Sequence, residues 1–201
     1  MKIGSKEFDT ANHCYVMGIL NVTDNSFSDG GKWNDLDRAL FHAEEMIRDG
    51  ADIIDVGGES THPGYTMISD EEEIGRVVPV IEKLRERFDI PISLDTYKSG
   101  VAKAGILAGA DMINDIWGLK FDPEMAEVIA KNHKTCCLMH NRKEPNYNHF
   151  MNDVLTDLEE TLEIAQKAGI SYVDICIDPG VGFGKTYENN LEIINNLQEL
   201  H

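Results

Sequence analysis

No stretch of this sequence approaches the roughly 20 consecutive apolar residues that a membrane-spanning helix needs. The segment Met1 to Thr10 mixes charges without the apolar run of a secretory signal. Basic residues are scarce: 18 Lys and Arg stand against 36 Asp and Glu, a formal net charge of −18. Such a surface repels a phosphate backbone at long range, which argues against nucleic acid as a partner. An anionic small ligand can still bind where local donors or a divalent cation offset the field. Cysteine pairs spaced for zinc or disulfide exchange are missing too. Cys14, Cys136 and Cys176 fall in or near apolar runs and Cys137 follows Cys136, with no CxxC or CxxxC pair. They read as buried or inert thiols of a reducing compartment, and a cytoplasmic location is expected. No linker rich in Gly, Ser or Pro, no low-complexity tract and no internal repeat divides the 201 residues, so one domain spanning 1–201 is expected.

What is present is an alternation of two periods. Short apolar runs, each closing on a polar residue, occur at Val16 to Asn21, Ile53 to Asp55, Ile92 to Asp95, Met112 to Asn114, Cys136 to His140 and Val173 to Asp178. They recur about every 30 residues, the length of a βα repeat. Between them lie helical patterns. Leu36, Ala39, Leu40, Ala43, Met46 and Ile47 follow the i, i+3, i+4, i+7 spacing, opened by an Asn34 cap and closed by Gly50. A second helix opens at Ser69 with Glu72 three residues on and runs through Ile74, Val77, Val78, Ile81 and Leu84, with Pro79 expected to interrupt and kink it. Further helices are predicted near Lys98 to Leu107, Pro123 to Asn132, Asn152 to Ala168 and Glu188 to Leu200. The alternation predicts an α/β fold with a parallel sheet covered by helices. A barrel and a doubly wound sheet both allow it, but no Gly-x-Gly-x-x-Gly follows the first strand, which removes the main support for the open sheet.

The strand ends carry the functional signal. Asn21, Asp55, Asp95, Asn114, the Met139-His140 pair and Asp178 all fall where strands finish. In a TIM barrel these positions share the face on which active sites are built. One such residue can be a simple turn cap; a whole series of them argues for a site. The loop from Gly18 to Gly31 is long and dense in small polar residues, and Asp55 to Gly64 pairs glycines with Ser60, Thr61, His62 and Pro63. His62 by itself can bind phosphate when protonated or simply be exposed. Gly184-Lys185-Thr186 imitates a phosphate-binding loop, but position 179, where that motif requires glycine, is Pro179.

These two loops, together with Asp95-Thr96-Tyr97-Lys98, Asn114-Asp115-Ile116-Trp117-Gly118, Met139-His140 and Asp178 to Lys185, resemble the dihydropteroate synthases in order and spacing, from about Val16 onward. The resemblance implies a TIM (β/α)8-type barrel of which about six βα units are present. It implies condensation of a pterin pyrophosphate with p-aminobenzoate in folate synthesis, with Mg²⁺ as cofactor and a homodimer as the usual assembly. By the same resemblance, Asp95, Asn114 and Asp178 bind the pterin, Met139 and Phe183 give it apolar contact, and Asp95 is the catalytic residue favouring positive charge on the ring. Asn21, Thr61 and His62 fall at the pyrophosphate, Asn21 also at the metal, and Phe27, Ser60, Thr61 and Pro63 at the walls that receive p-aminobenzoate. A pterin-binding methyltransferase domain would share the barrel but lack the Phe-Ser-Asp-Gly-Gly and Ser-Thr-x-Pro-Gly loops; a non-catalytic pterin-binding remnant is the other alternative.

Three departures from the family pattern carry consequences. Asp24-Asn25 stands where the family has Pro-Asp, replacing a rigid residue by a flexible one. The family's Lys on a seventh strand and its Arg and His on an eighth have no counterparts in these residues, so the barrel is expected to be C-terminally incomplete and, with unpaired strand edges, prone to association. His62 stands where the family has Arg, and a neutral imidazole cannot replace a permanent forked cation. Pyrophosphate binding is therefore expected to strengthen below about pH 6.5, the ordinary histidine pKa. Titration calorimetry across pH, with His62→Arg alongside, checks this; an affinity flat in pH and unchanged in the variant contradicts it.

Overall fold

The structure, a computed structural model, describes residues 1–22, 32–60 and 66–200, with the backbone alone for 32–35. A short antiparallel hairpin of β1 (Lys2–Ile3) and β2 (Lys6–Glu7) precedes a six-stranded sheet. Its strands are β3 (Met17–Asn21), β4 (Ile53–Gly57), β5 (Ile92–Asp95), β6 (Met112–Asp115), β7 (Thr135–Met139) and β8 (Ile175–Asp178), all parallel, each bonded to the next in chain order. A doubly wound sheet reverses its strand order at a switch point. This one never reverses, as expected of the first six units of a barrel.

The interstrand connections contain α1 (Lys32–Arg48), α2 (Asp70–Arg87), α3 (Ser99–Ala108), α4 (Met125–Lys131) and α5 (Phe150–Ala168), and α6 (Tyr187–Asn195) follows β8. Strand alternation divides the sheet into two chemistries. Leu20, Ile54, Val56, Ile92, Leu94, Ile113 and Leu138 point to the helices and form the main core with residues such as Ala43, Val77, Ile81, Leu84 and Ile129. The opposite face carries Asn21, Asp55, Ser93, Asp95 and Asn114. These strands bury one face under the helices and turn the other, which carries these polar residues together with Met17, Ile53 and Met112 at its lower end, to the interior.

Some expected boundaries moved. α1 begins at Lys32, so Asn34 lies inside it and is not its cap; apolar period fixes the buried face of a helix but not its first turn. Ser69 caps α2 as expected, its Oγ accepting from the Glu72 N–H at 3.2 Å. The helix runs unbroken through Pro79. Proline inside a helix costs about 3 kcal/mol, less than the burial of Val77, Val80, Ile81 and Leu84 supplies at roughly 1.5–3 kcal/mol each. α6 stops at Asn195, with a separate 3-10 turn at Leu197–Leu200. Asp55 lies in the middle of β4, which continues to Gly57, and β6 continues past Asn114 to Asp115. Hydrogen bonding to the neighbouring strands carries both strands beyond the polar residue that seemed to close them.

Among the described residues no strand pairs with the outer edge of β3 or of β8. Large apolar side chains are exposed along both margins: Val16 and Ile19 at β3, Tyr172, Val173, Leu191 and Ile194 around β8 and α6. Expressed as residues 1–201, the chain is expected to self-associate, because open strand edges and apolar margins both favour contact with another copy. Sedimentation velocity checks this, and a monodisperse monomer at micromolar concentrations contradicts it. No helix among the described residues is long and apolar enough to cross a membrane.

Candidate active site

The register brings the predicted residues into one row. Asn21 pairs with Gly57, Gly57 with Asp95, Asp95 with Asn114, Asn114 with Cys137 and Cys137 with Cys176. Residues paired laterally in a parallel sheet share a face, so Asn21, Asp95 and Asn114 project inward at one level. Met139 and Asp178 pair with each other beyond the Cys137–Cys176 pair. Gly57 makes the row possible. A Cβ there would stand 3.2 Å from Asn21 Oδ1 and 3.4 Å from an oxygen of Asp95, so glycine lets the two side chains approach across it.

Electrostatics single out Asp95. Its carboxyl is held well above the usual carboxylate range, first by burial and then by the neighbouring charge of Asp55. Asp95 Oδ1 is shielded from water and has no hydrogen-bond partner among the described residues. An unpartnered buried carboxylate oxygen is costly unless a ligand completes it. Asp55, one level deeper, is raised by burial and accepts from Asn114 Nδ2 at 3.0 Å. That bond orients the Asn114 amide. Asp115, the outward neighbour of Asn114, accepts backbone N–H groups of Trp117 and Leu119 at 2.8 and 2.7 Å, shaping the turn above β6. Burial pushes its pKa up to about 6.

An apolar wall lies beside these groups. Tyr97, Ile116 and Met139 form a buried cluster against which Trp117 and Phe183 pack, so the two apolar residues predicted at the pterin belong to one surface. Trp117 Nε1, like Asp95 Oδ1, is buried without a partner among the described residues. Asp178 accepts from the Gly180 N–H at 2.7 Å through one oxygen. The loop that follows is fastened from beneath by Lys185, whose ammonium donates to the carbonyls of Gly180 at 2.9 Å, Phe183 at 3.0 Å and His140 at 3.3 Å, and lies 2.9 Å from His140 Nδ1. Burial lowers the Lys185 pKa to about 8. Burial, with the charge of Lys185, lowers His140 to about 4, leaving the ring neutral. Its Nε2 lies 3.0 Å from Asp157, which is held by Arg142. Lys185 is thus a loop fastener.

Ser60 is exposed next to the buried Glu59. Phe27, Thr61, His62 and Pro63 lie outside the described residues. The thiol expectation needs correction: Cys136 is buried, but Cys14 and Cys176 are exposed, the latter because it faces inward on an edge strand with no strand beyond it. Sequence reasoning counted Asp55 among the strand-end residues without giving it a role, and it passed over the Lys185–His140–Asp157 set and a buried group of Glu59, Glu73 and Lys98. One signal existed for the last: Glu73 falls four residues before Val77, on the buried stripe of α2.

Comparison with known proteins agrees with this arrangement. Residues 17–201 match the family described as pterin binding enzyme. The chain is 60% identical over 200 residues to a dihydropteroate synthase of Clostridium beijerinckii, covering 100% of this chain and 74% of that one. It is similar to the dihydropteroate synthase of Clostridium difficile, solved in the presence of pteroic acid, with a TM-score of 0.94 and 48% identity over 96% of this chain and 74% of that one. It is also similar to the Xanthomonas albilineans enzyme, solved with 4-aminobenzoic acid, with a TM-score of 0.89 and 40% identity over 94% of this chain and 69% of that one. With its fold, its strand-end polar residues and these likenesses in agreement along its whole length, the chain belongs to the pterin binding enzyme family, among the dihydropteroate synthases.

Proposed function

We propose that this chain condenses 6-hydroxymethyl-7,8-dihydropterin diphosphate with p-aminobenzoate, giving 7,8-dihydropteroate and pyrophosphate. The observation that carries the reading is Asp95, whose Oδ1 is shielded from water and unpaired among the described residues, level with an oriented Asn114 amide and followed two residues on by Tyr97 of the Met139–Phe183 wall. A pterin edge offers an amide and an exocyclic amine. Carboxylates accept from such donors, an Asn amide both donates and accepts, and a site so built rejects rings lacking those groups. Asp178, with one oxygen committed to Gly180, keeps the other for the ring. Of the ligands in the two similar structures, pteroic acid is the oxidised form of this product and 4-aminobenzoic acid is one of the substrates.

In this reading pyrophosphate leaves the methylene carbon of the pterin as the aromatic amine attacks it. A negative charge at Asp95 favours the positive charge that develops on the ring. No side chain needs to form a covalent bond, so no nucleophile is assigned. Among the described residues no group of three or more His, Cys, Asp or Glu could hold a metal. Asn21 offers a single hard oxygen at the end of β3. That suits Mg²⁺, which keeps several waters and takes other oxygens from phosphate; when bound it would neutralise leaving-group charge. Thr61 and His62 would contact the diphosphate, and Phe27, Ser60, Thr61 and Pro63 the aminobenzoate. We place the reaction in the cytoplasm, where the four free cysteines would stay reduced.

Calorimetry with the pterin diphosphate and Mg²⁺, followed by a turnover assay with p-aminobenzoate, tests the proposal. Binding with formation of dihydropteroate supports it. Binding without product favours a non-catalytic pterin-binding protein, and absence of both overturns the reading.

A further inference from the structure

Between the exits of β4 and β5 and the start of α2 lies an ionic cluster. Lys98 Nζ donates to Glu59 Oε2 at 2.7 Å, to Glu73 Oε2 at 2.7 Å and to the Ile68 carbonyl at 2.8 Å. Glu59 Oε2 also accepts from the Ile68 N–H at 2.8 Å, and Glu59 Oε1 from the Tyr97 hydroxyl. The side chains of Lys98, Glu59 and Glu73 are only 6%, 4% and 2% exposed. Burial pushes the Glu73 carboxyl up. It also works against the Lys98 ammonium, but the two carboxylates more than reverse that effect.

Such a cluster is a poor device for stability alone. Desolvating each ion costs several kcal/mol, and apolar side chains of similar volume often do as well or better. Two carboxylates share one ammonium here, so part of the charge is uncompensated. What the arrangement does secure is geometry. Glu59 and Ile68 are the two feet of the segment that begins with Ser60, and Lys98 binds both. Tyr97 and Lys98 follow Asp95 by two and three positions. Arg76, on α2, adds a bond to the Gly58 carbonyl at 2.9 Å. Both feet are therefore tied to the strand end that presents Asp95.

We infer that Lys98 is a positioning residue for the aminobenzoate half of the reaction: it fixes Glu59 and Ile68, and through Glu59 the adjoining Ser60, relative to the pterin held at Asp95. The inference rests on the dihydropteroate synthase reading. A displacement of about 1 Å in a positioned group can cost up to a hundredfold, so the effect should be measurable, and larger on the aminobenzoate than on the pterin, whose site also draws Asn114 and Asp178 from β6 and β8.

The test measures, in the full chain, the KM for p-aminobenzoate and, by calorimetry, the Kd for the pterin diphosphate in Lys98→Met, Glu59→Gln and Glu73→Gln. In Lys98→Met the aminobenzoate KM is expected to rise about tenfold or more, with the pterin Kd changed less than about twofold. Glu59→Gln keeps its shape but weakens both ties to the feet, and should move in the same direction by a smaller factor. It decides the matter if Lys98→Met does not fold. Glu73→Gln leaves both ties intact, so the aminobenzoate KM should stay near wild type. Unchanged aminobenzoate KM in the first two variants overturns the inference, as does a pterin Kd that weakens in step, the mark of a merely structural role. A wild-type chain that neither binds the pterin nor forms product overturns the underlying function, and this inference with it.

Discussion

Replacing Asp95 by Asn is expected to lower kcat/KM by a factor on the order of a hundred to a thousand, the range seen when a buried electrostatic stabiliser is removed. The substitution preserves size, so packing against the neighbouring strands should survive. What changes is the pattern of donors and acceptors: an amide presents N–H groups where the pterin also donates, and the charge that would favour a cationic ring is gone. In the free protein burial and Asp55 hold the Asp95 carboxyl well above the usual range, so its protonated form persists to higher pH than for an exposed aspartate. Binding that requires the carboxylate must release that proton. Affinity for hydroxymethyl-dihydropterin without its diphosphate should therefore rise with pH through the raised pKa and then level off. Using the ligand without diphosphate separates this slope from the opposite one expected of His62. Calorimetry at several pH values measures it, and a slope that survives in Asp95→Asn would assign it to another group.

Gly180→Ala should be severely damaging to the loop after β8. Gly180 has φ of +69°, a left-handed conformation that alanine adopts only under strain. A Cβ at this position would lie 2.0 Å from the carbonyl oxygen of His140, a backbone atom that cannot step aside. The strand end, the Asp178–Gly180 bond and the Lys185 contacts to the Gly180 and His140 carbonyls would all have to shift together. A loss of about 2–4 kcal/mol is expected from strain and steric conflict combined. In a chain of this size that lowers Tm by roughly 5 °C or more, and pterin affinity should fall with it because Asp178 and Phe183 flank the displaced backbone. Gly182→Ala is the internal comparison. It has φ of +89° but nothing within 4 Å of its Cβ, so it should carry the strain alone and a smaller loss. Thermal denaturation of the two variants separates the contributions; equal shifts would mean that the contact with His140 relaxes freely.

The unit-by-unit architecture was legible in the amino-acid order because both of its signals are local. Alternation within Ile92 to Asp95 sends Ile92 and Leu94 to the helices and leaves Ser93 and Asp95 facing inward, and Ser69 with Glu72 marks the start of α2 through a bond closed within one turn. The choice of barrel-like winding over a reversing sheet rested on a missing glycine motif and became visible in the strand order. Local patterns also made Asp55 and Asn114 look like strand ends, when pairing with neighbouring strands extends β4 to Gly57 and β6 to Asp115.

Taken alone, the order of residues determined the βα repeat, the buried faces and the polar strand ends, since periodicity depends only on neighbours a few positions apart. Tertiary structure decided which charges meet. Asn114 bonds Asp55 across 59 positions and Lys98 bonds Glu59 across 39. Whether a buried carboxylate is satisfied, as Glu59 is, or left open for a ligand, as Asp95 is, depends on distances in space that no spacing along the chain encodes.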